Sequence, residues 1–415
     1  MGGKGALLLV LGFSLIFMVA GRNFNQMATS TVENFANYYY TSKAHNYAAA
    51  GLNLVANKLF LNNSMGDNTF NYRLYDTPND YGDVQVRLIT IDPFRRLRQI
   101  VSTANYQGTT YTIKVLFQPS SFAKYAYFSD TEGSTIWWTT RDTVWGPFHT
   151  NGQLRVADEP VFYGKVTIDG SVVKYSNSAR PKFYGGLETG VHQDIPQNGV
   201  AGVANAASAG GKVITGKNLV YMEFRGDSIR YRFSSTGSWT YVLASAFAPN
   251  GVIYIDNAEV HIKGTVKGQY TIAASGTGAD RGKIYLDDNI VCYNNPQTNP
   301  NSTDMIGIVA ERDVVVTDNT PNRSDIVIQA AIYAQRGSFT AENYNTRPPS
   351  GTIFLYGGIT QYMRGPVGQF REERGGGITI VNGFSKRYRY DSRFMLGSPP
   401  AFPWTGNLEI VSWFE

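Results

Sequence analysis

Cysteine is almost missing from this 415-residue chain: Cys292 is the single one. One thiol excludes an intrachain disulfide framework and any cysteine-based zinc site. Histidine is scarce, with four residues, which argues against a histidine-rich metal site. Charged residues make up 17%, fewer than in an ordinary soluble domain. The net charge of +5 is small for this length and demands no nucleic-acid partner. No G-x-S-x-G, H-E-x-x-H, Walker-loop or calcium-loop signature occurs. The expectation is a protein that is not an enzyme, with no cofactor and no metal.

Charge is also absent from one long segment. Between Lys4 and Arg22 lie seventeen uncharged residues, "GALLLVLGFSLIFMVAG", at the lower limit for crossing a bilayer. From Asn23 to Asn62 there is no proline and only one glycine, Gly51. Phe24, Ala28, Thr31, Phe35, Tyr39, Ala44, Ala48, Leu52, Val55 and Leu59 recur there at steps of mostly three and four, one stripe down a helix. The apolar run therefore flows without a break into an amphipathic helix. A continuous helix from Ala6 to Asn62 is roughly 85 Å long at ~1.5 Å per residue. A rod of that length cannot bury itself against a small domain, and its apolar end calls for lipid or other copies of itself. A secretory signal peptide cleaved near Val19-Ala20-Gly21 is the competing reading.

The remaining sequence is rich in glycine, with 43, and in tyrosine and phenylalanine, with 27 and 23. This balance suits many short strands and tight turns. "YGDVQVRLITID", "LRQIVSTANYQ" and "TTYTIKVLFQ" read as three antiparallel strands. Arg95, Arg96 and Arg98 cluster in the link between the first two and read as a solvated turn. Downstream, "GVIYIDNAEVHI", "GKIYLDDNIVCY", "AAIYAQRGSFTA" and "GTIFLYGGITQY" superimpose, with "IGIVAERDVVVT" a looser copy. Their anchors are Ile253, Ile284, Ile308, Ile332 and Ile353. Repeats of this spacing without helical segments between them predict a parallel β-helix, each coil stacking its apolar anchor on the coil before. Asp256, Asp287 and Asp288 would share one corner of successive coils, as backbone-bonding turn residues or, in the sharper reading, as a carboxylate site. His149 is read as a turn histidine.

The start of the chain carries a family resemblance. "KG" followed by "ALLLVLGFSLIF" resembles the prepilin cleavage junction of type IV pilin-like proteins, and "AHNYAAAGLNLVANKLF" resembles the lower part of the helix in accessory pilins. The resemblance implies processing by a prepilin peptidase between Gly5 and Ala6, residence in the inner membrane, and then assembly by pilus machinery into a filament of sister subunits at the bacterial surface. Leu7, Leu8, Leu9, Val10, Leu11, Phe13, Leu15, Ile16, Phe17, Met18, Val19, Phe24 and Phe35 would form the filament core. One position departs from the pattern: major pilins usually carry glutamate at the fifth mature residue, and here that residue is Val10.

The resulting expectation is a mainly β protein. It has a leader at 1–5, a long N-terminal α-helix at 6–62 and a small antiparallel sheet at 63–120. A parallel β-helix solenoid follows at 121–385, with an inserted hairpin region at about 191–244, and then an aromatic tail at 386–415. The expected function is a structural subunit of a pilus-like filament that displays its β-helix, with a surface glycan or cell ligand as the adhesive partner. Two alternatives are a secreted carbohydrate-active or carbohydrate-binding β-helix and a membrane-anchored surface protein that does not polymerise.

Overall fold

The computed structural model describes residues 2–92, 97–140, 142–373 and 378–415. The chain divides into two compact units: residues 1–118 together with 408–415, and residues 119–407. Arg95 and Arg96 lie outside the described residues. Arg98 is no surface cation: it is buried, donates to the Met65 carbonyl at 2.8 Å and pairs with Asp67.

The first unit is a helix on a sheet. Helix α1 (Gly2–Leu61) runs unbroken for 60 residues, as the lack of proline requires. Only its last third is covered. Ala44, Ala48, Leu52, Val55 and Leu59 are at most 1% exposed, and they pack on Val84, Val86, Leu88, Ile100, Val115 and Phe117 of the sheet. The strands are β1 (Asn68–Thr77), β2 (Asp80–Asp92), β3 (Leu97–Tyr106) and β4 (Thr109–Ser121), each antiparallel to the next. Strand β2 alternates buried and exposed residues from Gly82 to Leu88, the period-2 signature of a sheet with one wet face. The C-terminal strand Trp404–Phe414 lies beside β4 as a fifth member. Gly51 is where helix and sheet come closest: a Cβ there would lie 2.5 Å from Val84 Cγ1.

The second unit is built on a large, mostly parallel sheet of 23 described strands. One ladder holds ten strands, with inward residues in a single column: Ile253, Ile272, Ile308, Ile332, Ile359, Tyr127, Phe148 and Val166, between Lys212 at one end and Leu187 at the other. The eight inner members are at most 2% exposed. A second ladder carries Ile290, Ile328, Leu355, Tyr388, Val144, Phe162 and Phe183 in another column. Antiparallel exceptions are the strands Ser228–Arg232 and Thr240–Leu243, and Gly368–Glu372 against Ile378–Tyr390.

The five anchor isoleucines do not form one column. Ile253, Ile308 and Ile332 share the first ladder, and Ile353 pairs with Ile326 and Lys386 in the second, whereas Ile284 pairs with Val260 and Val314 in a further run that continues to Phe339. Strands of all three runs carry the same apolar-then-polar pattern, so the superimposed segments belong to different faces.

The order of stacking is also not the order of the chain. Strand Tyr127–Thr131 sits on Pro349–Met363 rather than at an end. The chain must therefore return from the Leu187 end to the Lys212 end, about 43 Å over nine steps of ~4.8 Å. Helix α2 (Gly199–Gly210) supplies about 18 Å of that path. It lays Val200, Val203 and Ala207 against Ala273, Val309 and Tyr333 on the outer face of the first ladder. The stretch 191–244, expected to project as an insertion, thus holds this return helix. It also holds strands Lys212–Ile214 and Leu219–Gly226, which continue the two ladders. The tail expected from 386 divides as well: residues 386–390 belong to a ladder strand and 404–414 to the small sheet.

One line of turns between the stacked strands explains a recurring aromatic-glycine pair. Trp145, Tyr163 and Tyr184 stack at 5.2 and 5.3 Å, and each precedes a glycine. A Cβ on Gly164 would lie 1.9 Å from the Gly146 carbonyl oxygen, whereas nothing lies within 4 Å of Gly12. Gly164→Ala is expected to lower the unfolding midpoint of the purified protein clearly, by overpacking of about 1–3 kcal/mol. Gly12→Ala should leave it unchanged or raise it through helix propensity, by up to ~1 kcal/mol. Ile308→Ala, which empties a fully buried column position, should cost about 2–5 kcal/mol in denaturant unfolding.

Candidate functional site

The largest unsatisfied surface is the upper part of α1. Every large apolar side chain from Leu7 to Val19 is at least 52% exposed, with Phe17 at 73%; Phe24 and Phe35 are similar. Around residues 7–19 the apolar side chains point in all directions, the pattern of a helix surrounded by lipid or by other helices. Below Arg22 the apolar residues narrow to a stripe on a helix that is still exposed all round to residue 35, and Glu33 is the only charge between Arg22 and Lys43. The Thr29 and Thr31 hydroxyls donate to the carbonyls of Asn25 and Met27, so they can be buried without a new partner. By length and composition this helix is apolar enough to cross a membrane, with a mean hydropathy of 2.1 over its best window. Gly5 and Ala6 lie in its first turns, both exposed.

The expected carboxylate corner does not gather. Asp256 accepts from Tyr254 and Ser275, Asp288 from the backbone of Asn289, and Asp287 from His261 and Thr317. Among the described residues no group of three or more acidic, histidine or cysteine side chains could hold a metal ion. His149 is buried between Thr167 Oγ1 at 2.7 Å and Asn151 Oδ1 at 2.8 Å, and burial holds its pKa below the ordinary value. Cys292 is buried, its thiol pushed up to about 12 by desolvation, so it is no nucleophile.

A cluster around His261 escaped the sequence reading. Tyr221, His261 and Tyr285 are register neighbours on three parallel strands. Their rings stack at 4.5 and 4.8 Å. The imidazole lies 2.8 Å from Asp287 through Nδ1 and 2.8 Å from Glu259 through Nε2. The legible signal was the central position of the pair Glu259 and His261 on one face of a strand. Burial works against the charged imidazole, but the Asp287 hydrogen bond and charge, joined by Glu259, outweigh it and raise its pKa.

A model of a domain of unknown function, DUF4900, matches residues 94–171, from the small sheet into the first strands of the large one. No curated protein matches the chain. Among solved structures, the competence-associated pilin ComZ from Thermus thermophilus is similar at 11% identity and a TM-score of 0.37, over 91% of this chain and 97% of that one.

The His261 cluster predicts a pH dependence. A raised folded-state pKa contributes stability that is fully present below the unfolded value of about 6.5 and is lost as pH rises through the folded value. The melting temperature of the wild type should therefore fall relative to His261→Gln on going from pH 5 to pH 9. Parallel curves for the two proteins would refute the assignment.

Proposed function

We propose that this chain is a structural subunit of a type IV pilus-like filament. One observation carries the reading: a continuous helix whose lower third is packed in its own unit and whose upper apolar part is exposed among the described residues. Burying that surface against sister helices removes it from water, at roughly 25 cal/mol per Å² of apolar area. Before assembly the same segment resides in the inner membrane. A prepilin peptidase cleaves after Gly5 and leaves Ala6 as the first residue, and pilus machinery extracts the helix. The parallel ladders are read as the faces of a β-helix body, displayed outward for adhesion to a surface glycan or cell ligand and without enzymatic activity.

A second reading, a membrane-anchored protein that does not polymerise, draws on Val10. This residue offers no carboxylate to a neighbour's terminal amine and is 65% exposed. Within the filament reading it places the chain as a minor or divergent subunit rather than the shaft.

N-terminal sequencing of native protein from sheared surface material should begin at Ala6. Phe17→Asp, which puts a charge into the apolar collar at about 2.5–3.5 kcal/mol in a bilayer-like setting, should abolish recovery in sheared filaments while leaving the ladder unit folded. A native N-terminus near Arg22, or filaments that lack the protein, would sink the proposal.

A further inference from the structure

The large unit has a joint where its stacking departs from chain order, and two of its buried ion pairs sit at that joint. Pro349–Met363 pairs with Tyr127–Thr131, and Arg387, Tyr388 and Arg389 pair with Thr143, Val144 and Trp145. Strands meeting here are some 232 residues apart in the chain, judged by the Arg364–Glu132 contact. One register step beyond Met363 and Thr131, the Arg364 guanidinium meets Glu132 at 2.8 Å, with side chains 3% and 1% exposed. One step before Arg387 and Thr143, Lys386 Nζ lies 2.9 Å from Asp142 Oδ2, with side chains 14% and 3% exposed. Trp138 faces both cations, its ring centre 4.3 Å from Arg364 Cζ and 5.0 Å from Lys386 Nζ.

Lys386 stands in register with Ile353 and Ile326, in a column that is otherwise apolar until Asp142. Two ions kept in such a place are costly to desolvate. Burial pushes the Lys386 amine below the ordinary lysine value, against the pull of Asp142. An arginine keeps its proton in any protein environment, whereas a lysine can give its proton up. The Arg364–Glu132 pair must therefore stay ionic. The Lys386–Asp142 pair has another outcome open to it.

We propose that Lys386 and Asp142 condense into an intramolecular isopeptide bond that clasps this joint. Within the ion pair the ammonium proton passes to the carboxylate, leaving a neutral amine beside a neutral carboxylic acid. Lys386 Nζ then attacks Asp142 Cγ. The C–N bond forms, the bond from Cγ to its hydroxyl breaks, and the hydroxyl leaves with one amine proton as water. No oxidant, reductant or co-reactant is needed. The fold holds the two groups in contact, which replaces the entropy cost of bringing them together. The Thr139 backbone N–H donates to Asp142 Oδ2 at 2.9 Å, which fixes the orientation of the carboxyl group that Lys386 attacks.

The test is peptide mapping by tandem mass spectrometry on folded, full-length protein, with amines acetylated after denaturation. Working on peptides keeps the readout independent of any trimming at the N-terminus. The expected product is a branched peptide joining the Asp142 and Lys386 segments, lighter than their sum by one water, about 18 Da. Trypsin and acetylation should both fail at Lys386. Lys386→Arg, checked for folding by circular dichroism, should yield no such product. Separate Asp142 and Lys386 peptides at full mass from the folded wild type would overturn the proposal. So would a linked peptide persisting in Lys386→Arg, which would place the bond elsewhere.

Discussion

In a parallel ladder each strand passes its backbone donors and acceptors to a neighbour on either side, and the register so fixed puts each inward side chain directly on that of the next strand. Most of the second unit follows from that constraint. Once Ile253 is set on Ile272, then Ile308, Ile332 and Ile359 have no choice of face, and a continuous apolar column results. The same constraint makes the joint sensitive. Where Lys386 enters the column of Ile353, the neighbouring coil must answer it with Asp142, because an unpaired buried cation is not tolerated. Stacking out of chain order then requires a return path, and α2 supplies it while covering an outer face that would otherwise stay wet. Register, buried charge and return helix are thus one problem solved together.

The corner glycines belong to the same logic. Stacked strands bring backbone onto backbone at the turn, so that a methyl group on Gly164 would meet the Gly146 carbonyl. The ring before each glycine stacks on the next ring along the ladder, as Trp145, Tyr163 and Tyr184 do. The short pattern of aromatic then glycine is therefore a mark of strand stacking in this stretch of the chain.

Much of this was legible in the sequence, unevenly. The long helix could be read because a stripe of apolar residues and a lack of proline are local facts, and the small sheet because its strands alternate with a period of two. The run of short strands was visible too, but their assignment to ladders was not. Ile253 and Ile284 sit in segments that look alike, yet they face different columns, and nothing within eight residues of either distinguishes them. The stacking of Tyr127 on Ile359 is a long-range pairing that no local pattern encodes. The tail behaves likewise: "KRYRYDSRF" looks like a solvated basic strand, but its alternate residues Lys386 and Tyr388 turn inward, while Arg387 and Arg389 stay out. The His261 cluster was hidden for a related reason. Its acidic partners are a near neighbour, Glu259, and a residue one coil away, Asp287.

The two parts of α1 give the last step. In the lower part, small residues have an internal reason: Ala44, Ala48 and Gly51 sit where the sheet presses on the helix, and Gly51 in particular leaves room for Val84. In the upper part, Gly12 and Gly21 have none among the described residues, of which nothing lies within 4 Å of where their side chains would be. Glycine in a helix interior costs about 1 kcal/mol relative to alanine, so two of them in an apolar helix call for a compensating contact. Lipid alone gives no such return, since acyl chains fill around an alanine as readily as around a glycine. A closely packed neighbouring helix does, because a missing side chain lets backbones approach. In the filament proposed above, the glycines at 12 and 21 would be the points where sister helices approach one another most closely.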